Sequence, residues 1–306
     1  MGQRLPALAL PLIAAAGFAW STAAVAHGDA GTRSLIASAG LGVLLAVALF
    51  LYVRGLRALW RSAGHGRGVV PLTAWMFLAG WAVLVASLFG PIDRWGAASF
   101  TAHMIQHELL MLAAAPLLVM GAPLATWAWA MPAGSRTRTG RVTRAIGHSR
   151  AWRAITRPLW ATLLHGLLIW AWHSPVLFEA ALRSEAIHDL QHATFIGTAL
   201  LFWWSLLRGT GARRADGLAV ILLFATMVHT GALGALLTFS SRPWYAFYAD
   251  GSVPWGLSPI EDQQLGGLVM WVPCGIVYLI AALALMARWL RPAQGDGERE
   301  LIQSAN

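Results

Sequence analysis

Ten histidines are the side chains best able to do chemistry in this 306-residue chain, in which 58% of residues are hydrophobic and 11% are charged. Two pairs have the same spacing, His103-x-x-x-His107 and His188-x-x-x-His192. Residues four apart share a helix face, so each pair can direct two imidazoles to one point. Ionisable groups within apolar helices are candidate functional sites, and neutral imidazole binds copper, zinc, iron and nickel. The pairs therefore predict a metal or haem site.

Further residues extend this candidate metal site. His173 ends a predicted span at the level of both pairs, whereas His165 and His229 lie about ten residues deeper. His27 would begin the mature chain after removal of a leader and would offer an amine and an imidazole. Thioether and thiol ligands suited to copper(I) are Met104, Met111, Met227, Met270 and Cys274. The alternatives are a hydrogen bond between helices for His165 and packing for the sulfur-containing side chains.

The elements that must position these residues are apolar runs long enough to cross a bilayer. A soluble domain carries about 25% charged residues, more than twice the fraction here, and about 20 apolar residues cross the hydrocarbon core. We predict an all-α polytopic membrane helix bundle forming one domain, residues 27–292, followed by a cytoplasmic tail, residues 293–306. The seven predicted spans are Ser34–Val53, Val70–Phe89, Phe100–Met120, Pro158–His173, Ile187–Leu207, Leu218–Phe239 and Leu265–Leu290.

Residues 1–26 have the pattern of a signal peptide. Arg4 supplies the charged start, Leu5–Trp20 the apolar stretch, and Ala24-Val25-Ala26 a cleavage site of small residues. The alternative is an uncleaved extra N-terminal helix.

Arginine placement predicts the orientation of the bundle. All 22 basic residues are arginines; 17 fall in the loops and tail on one predicted side and four on the other. The positive-inside rule then places the mature N-terminus outside and the C-terminus in the cytoplasm. We expect a multi-pass protein of the bacterial inner (plasma) membrane whose metal site faces the periplasm. The basic loop Met131–Arg157 is interpreted as a topology signal at the lipid bilayer, with no nucleic-acid partner.

The predicted outer segment Ser240–Gln264 is rich in aromatic residues, which usually form a belt at the membrane interface. A folded lid over the histidines is the alternative. Within the third span, Glu108 follows His107 and is a candidate hydrogen-bond acceptor, proton-relay group or partner of an arginine.

An ordered set of motifs resembles the multi-span CtaG family, the caa-type cytochrome c oxidase assembly factors. The motifs are His103-Met104-Ile105-Gln106-His107, Pro116, Gly121-Ala122-Pro123, Trp172-His173-Ser174-Pro175, His188-Asp189-Leu190-Gln191-His192, Gly231-Ala232-Leu233-Gly234, Asp262-Gln263-Gln264-Leu265-Gly266-Gly267 and Met270-Trp271-Val272-Pro273. The resemblance runs from about the second predicted span to the seventh. It implies a role in maturing a haem–copper terminal oxidase, with copper supply to the oxidase subunits. Asp262 and Met270, which lie in these motifs, join the candidate metal ligands.

Three functions follow from the residues and the resemblance. The first is a non-enzymatic assembly factor that binds copper at His103, His107, His173, His188 and His192. The second is a haem-binding protein for haem handling or electron transfer, with histidines ligating the iron. The third is a metal-dependent membrane enzyme with Glu108 or Asp262 as acid or base, although the chain contains no HExxH motif. The oligomeric state is left open.

Overall fold

The computed structural model describes residues 30–208, 213–249 and 254–290, and within these ranges all regular elements are helical. Six of the described helices are long and apolar enough to cross a membrane, and a bent pair of shorter helices raises the number to seven. The predicted all-α, multi-pass membrane bundle is confirmed. The predicted signal peptide, His27 and the tail at 293–306 lie outside the described residues.

The helices follow one another with short connections. The first half contains α1 (Ala30–Ala63), α2 (Pro71–Phe89), α3 (Pro91–Gly96), α4 (Phe100–Glu108), a π-helical segment (Leu109–Ala114), α5 (Ala115–Met120), α6 (Pro123–Ala130), α7 (Ala133–Gly147) and α8 (Arg150–Ile155). The second half contains α9 (Pro158–Trp172), α10 (Pro175–Arg183), α11 (Glu185–Leu207), α12 (Arg213–Thr238), α13 (Ala246–Ala249), a 3₁₀ turn (Pro254–Gly256) and α14 (Pro259–Leu290).

Proline marks the start of α2, α3, α6, α9, α10 and α14. The first backbone N–H groups of a helix have no intrahelical acceptor, so a residue without an N–H loses nothing there, and its fixed φ suits the helix. The proline boundaries therefore gave the start of α9 correctly and that of α2 to within one residue.

Several predicted spans are shorter than their helices, and two of them miss a helix end by more than five residues. The first extends to Ala63 rather than Val53, and the last begins at Pro259 rather than Leu265. Hydropathy detects the apolar part of a helix, whereas backbone hydrogen bonding continues through polar residues beyond the hydrocarbon. Arg54 and Arg57, which lie past the predicted end, are helical for this reason.

The fourth predicted span, Pro158–His173, is a broken element. Its helix α9 has 15 residues and meets the criteria for a span only together with α10, from which it is bent by 73°. Pro175 disfavours helical geometry in the preceding residue, and Ser174 is extended (φ −65°, ψ 137°). The break therefore leaves His173 at the C-terminal end of α9.

Helices α12 and α14 approach most closely at two facing glycines. A Cβ atom on Gly267 would lie 2.7 Å from the carbonyl oxygen of Gly234, and one on Gly234 would lie 2.8 Å from that of Gly267. Small residues allow this close backbone contact in membranes, where van der Waals packing rather than hydrophobic burial associates helices. Away from the glycines, Arg288 donates to Asp216 and joins the same two helices.

We predict that Gly267→Ala destabilises the protein by about 1–3 kcal/mol, because the added methyl group overpacks the α12–α14 contact. Thermal unfolding in detergent should show a Tm lower by about 2–10 °C. Gly197→Ala is the matched control, since a Cβ there meets nothing within 4 Å. Equal Tm values for the two variants would contradict the predicted close packing.

Candidate metal site

Five predicted site histidines converge at one end of the bundle and form what we call the histidine cluster. His103 and His107 come from α4, His173 from the end of α9, and His188 and His192 from α11. Ring centroids are 4.4 Å apart for His103–His107, 4.1 Å for His188–His192 and 5.3 Å for His103–His188. His188 is half-buried and the other four are buried. The i,i+4 spacing therefore does place both pairs against each other.

Three members of the histidine cluster could share one ion. A ring nitrogen of each of His103, His188 and His192 lies within 4.8 Å of the corresponding nitrogen of the other two. Three imidazoles at such separations suit copper, zinc or iron after small side-chain adjustments. The partial exposure of His188 leaves this three-histidine set accessible from the end of the bundle.

A hydrogen-bond chain determines which nitrogen of His103 carries the proton. The Tyr248 hydroxyl donates to the Gly96 carbonyl oxygen (2.6 Å), so it can only accept from His103 Nδ1 at 3.4 Å. Burial, followed by Asp262 and Tyr245, raises the pKa of Tyr248, which keeps the phenol protonated for this role. Nδ1 of His103 thus holds the proton, and Nε2, buried without a partner, presents its lone pair.

His173 is set in the same tautomer by the end of α9. Its Nδ1 lies 2.7 Å from the carbonyl oxygen of Ile169, which can only accept, so Nδ1 must donate. Nε2 is buried without a partner and carries the lone pair. Hydrogen bonds of this kind orient metal-binding histidines and favour one ligating nitrogen. Because α9 ends before Pro175, His173 lies at the C-terminus of the helix, where its ring reaches the carbonyl oxygen of Ile169 in the last turn.

The aromatic segment after α12 folds over the histidine cluster. Tyr245 and Tyr248 are buried, and the Tyr245 hydroxyl donates to the carbonyl oxygen of His173 (2.9 Å). The interfacial-belt interpretation is therefore wrong for these two tyrosines, and the lid alternative describes them. Burial raises the pKa of Tyr245, so its hydroxyl group stays protonated and remains a hydrogen-bond donor. Phe247 and Trp255 are exposed, as expected of a belt.

His165 and His229 form a second arrangement deeper in the bundle. His165 Nδ1 lies 3.0 Å from the Thr198 hydroxyl, which donates to a backbone carbonyl, so His165 Nε2 carries the lone pair. His229 is the opposite tautomer, because its Nδ1 accepts from the Trp170 indole N–H (3.3 Å) and its Nε2 must hold the proton. His165 therefore has an unpaired nitrogen lone pair, whereas the Nε2 of His229 is a hydrogen-bond donor.

Asp262 belongs to α14 and lies against the N-terminus of α4. Its carboxylate accepts hydrogen bonds from the Ser99 hydroxyl (2.7 Å) and from the backbone N–H groups of Phe100 (2.6 Å) and Thr101 (3.2 Å). A carboxylate there satisfies orphan N–H groups and complements the helix dipole. Its oxygens are thus already engaged, and they anchor the helix that carries His103. The candidate ligand Met270 lines a cavity beside the histidine cluster.

Two glutamines were not singled out in the sequence, although the signal was present. Gln106 and Gln191 each precede the second histidine of a pair, so both pairs read His-x-x-Gln-His. Gln106 donates to the Ser87 carbonyl oxygen and to Asp93 (both 2.8 Å). Gln191 is fully buried, and both polar atoms of its side chain lack a partner. The same residue at the same position of both motifs is the sequence signal that could have indicated them.

We predict that Asp262→Ala lowers the free energy of unfolding by about 2–4 kcal/mol, because three buried donors lose a charged acceptor. Chemical or thermal unfolding of the purified protein measures the loss. The neighbouring Glu261→Ala removes only exposed contacts with Ser258 and serves as control. Equal stability of the two variants would show that the α4 anchor is not needed.

Comparison with known proteins gives one family and three relatives. The family model described as cytochrome c oxidase caa3 assembly factor matches residues 50–292. Uncharacterized protein Mb0105 of Mycobacterium bovis and uncharacterized protein MT0111 of Mycobacterium tuberculosis are each 32% identical over 276 residues, which is 87% of this chain and 40% of theirs. Uncharacterized protein ML1998 of Mycobacterium leprae is 30% identical over 246 residues, 78% of this chain and 37% of its own. This chain therefore spans about two fifths of the length of these relatives, and no solved structure matches it.

Proposed function

The chain belongs to the family of cytochrome c oxidase caa3 assembly factors, and from that premise we propose that it binds copper at the histidine cluster and delivers the ion during maturation of a haem–copper oxidase. Its partners in this role are the oxidase subunits that receive copper. The family is one of assembly factors, so the copper is cargo and the chain is a carrier rather than an enzyme.

The observation that carries the proposal is the set of bare imidazole nitrogens in the histidine cluster. Buried polar atoms are nearly always hydrogen-bonded, and one left unpaired costs about 1–3 kcal/mol. Here Nε2 of His103, His173 and His192 and both ring nitrogens of His107 are buried without a partner. Lone pairs held towards one another in this way suit a cation.

The size of the available space favours an ion over haem, the second candidate ligand. The cavity next to the histidine cluster measures about 10 Å³. Pockets for organic ligands enclose about 300–1,000 Å³. An ion fits between the rings with small side-chain movements, whereas a porphyrin would have to separate α4 from α11.

Orientation follows from arginine placement. With 17 arginines on the predicted cytoplasmic side and four on the other, the positive-inside rule puts the histidine cluster at the periplasmic face of the bacterial inner membrane. Copper would then reach His188, the half-buried member, from outside the cytoplasm.

We predict that a His107→Ala/His192→Ala double variant loses most of its copper, because both changes remove buried lone pairs of the histidine cluster. Elemental analysis of the detergent-purified protein measures copper per chain. His65→Ala and His148→Ala, which change histidines outside the cluster, are the controls and keep the wild-type content. Loss of copper from the controls, or retention in the double variant, would refute the site. In cells, deletion of the gene should lower oxidase copper content.

We predict that Tyr248→Phe weakens copper binding by about 10–100-fold, the usual cost of removing a group that orients a metal-binding histidine. The change deletes the hydroxyl between His103 and Gly96 and leaves the ring packing in place. Competition with a copper chelator measures the affinity. Phe247→Leu, at an exposed neighbour, is the control. Unchanged affinity in Tyr248→Phe would contradict the role assigned to the hydroxyl.

A further inference from the structure

A small enclosed cavity lies on the far side of the histidine cluster from its accessible end. Its volume of about 10 Å³ gives room for roughly one water molecule or one ion. His107 and His173 line it, so it is continuous with the histidine cluster. The rest of the wall differs in chemistry, because it presents sulfur atoms and a carboxylate rather than further imidazoles.

Four sulfur-containing side chains line this cavity. They are Met104 and Met111 from the third span and Met270 and Cys274 from α14. All four are 5% exposed or less. Met270 and Cys274 are four residues apart and share the inner face of α14. Met227, another candidate soft ligand, does not line this cavity and instead borders an apolar groove between α12 and α14.

Unpartnered polar atoms also border the cavity. Both nitrogens of His107, Nε2 of His173 and Oε2 of Glu108 are buried and have no hydrogen-bond partner. One nitrogen of a neutral imidazole carries a proton, so His107 has a single lone pair to offer. Because His107 lies in the cavity wall and outside the three-histidine set, that lone pair is available to the cavity. The π-helical segment Leu109–Ala114 begins directly after Glu108. Such π-bulges are frequent at functional sites.

We propose that this cavity is a second metal site, selective for copper(I), with His107, Met270 and Cys274 as ligands. The inference rests on the proposed copper-binding function and deepens it: the protein holds a nitrogen site near its surface and a sulfur site beneath. Soft thioether and thiolate ligands suit copper(I). The thioether distinguishes this site from a zinc site, because the usual protein ligands of zinc are cysteine, histidine and carboxylate. Met104 and Met111 supply further thioethers.

A monovalent copper ion satisfies the charge balance of the cavity. A cation buried among neutral ligands is costly unless a counter-charge accompanies it. Glu108 is the carboxylate in the cavity wall. Cys274 binds a metal as its thiolate and must release its proton. The Glu108 carboxylate in the same wall can take up that proton, and the thiolate, the protonated carboxyl group and one copper(I) ion then carry no net charge.

The test is an anaerobic copper(I) titration of the full-length, detergent-purified protein against a chromophoric copper(I) chelator, with X-ray absorption at the copper edge. We expect two ions per chain, with sulfur neighbours around one. Met270→Leu/Cys274→Ala should bind one ion without sulfur scattering. Met227→Leu, a methionine outside the cavity, should bind two as the wild type does. Thermal unfolding confirms that both variants are folded.

The outcomes separate this inference from the proposed function. His188→Ala/His192→Ala should lose the nitrogen-bound ion and keep the sulfur-bound one, which would support both. Nitrogen scattering alone in the wild type, with a stoichiometry unchanged by Met270→Leu/Cys274→Ala, would overturn the second site and leave the proposed function intact. A wild-type protein that binds no copper(I) or copper(II) would overturn both.

Discussion

Bare imidazole nitrogens inside an apolar bundle are the constraint around which the rest of this protein is arranged. Each one costs about 1–3 kcal/mol, and the structure adds to the constraint by securing the opposite nitrogen. A tyrosine hydroxyl does so for His103, a helix-end carbonyl for His173 and a threonine hydroxyl for His165. Because hydrogen-bond acceptors fix the proton on Nδ1 in these three rings, the lone pair of each is on Nε2. The direction in which each of these rings presents its lone pair is therefore fixed.

The rest of the fold serves to hold the three histidine-bearing helices, α4, α9 and α11, at this point. Asp262 fastens the start of α4 to α14, and the facing glycines Gly234 and Gly267 bring α12 against α14. The Pro175 break ends α9 at the level of the histidine cluster. The tyrosine lid covers the cluster, and both of its hydroxyl groups donate to backbone carbonyls. Backbone acceptors are fixed by secondary structure, so the histidine rings inherit the rigidity of the helices.

Local chemistry explains which parts of this arrangement could be predicted from the sequence. Helical spacing paired His103 with His107 and His188 with His192, and apolar length found the spans. Contacts between distant segments left no such periodic signal: Tyr248 bonds to Gly96 across 152 residues and Asp262 to Phe100 across 162. The sequence pattern of an aromatic residue near the membrane interface is the same whether its side chain faces lipid or a buried histidine. Helix ends were misplaced where charged residues continue a helix beyond the hydrocarbon.

The anchoring of α4 by Asp262 also orders events during synthesis. The residues that emerge first from the ribosome include both α4 histidines, but the acceptor that secures their helix comes about 160 residues later, in the last described span. Until that span is inserted, the nascent chain can hold neither the helix start nor the lid in place. The histidine cluster is therefore held in its final arrangement only after the last described span has joined the bundle.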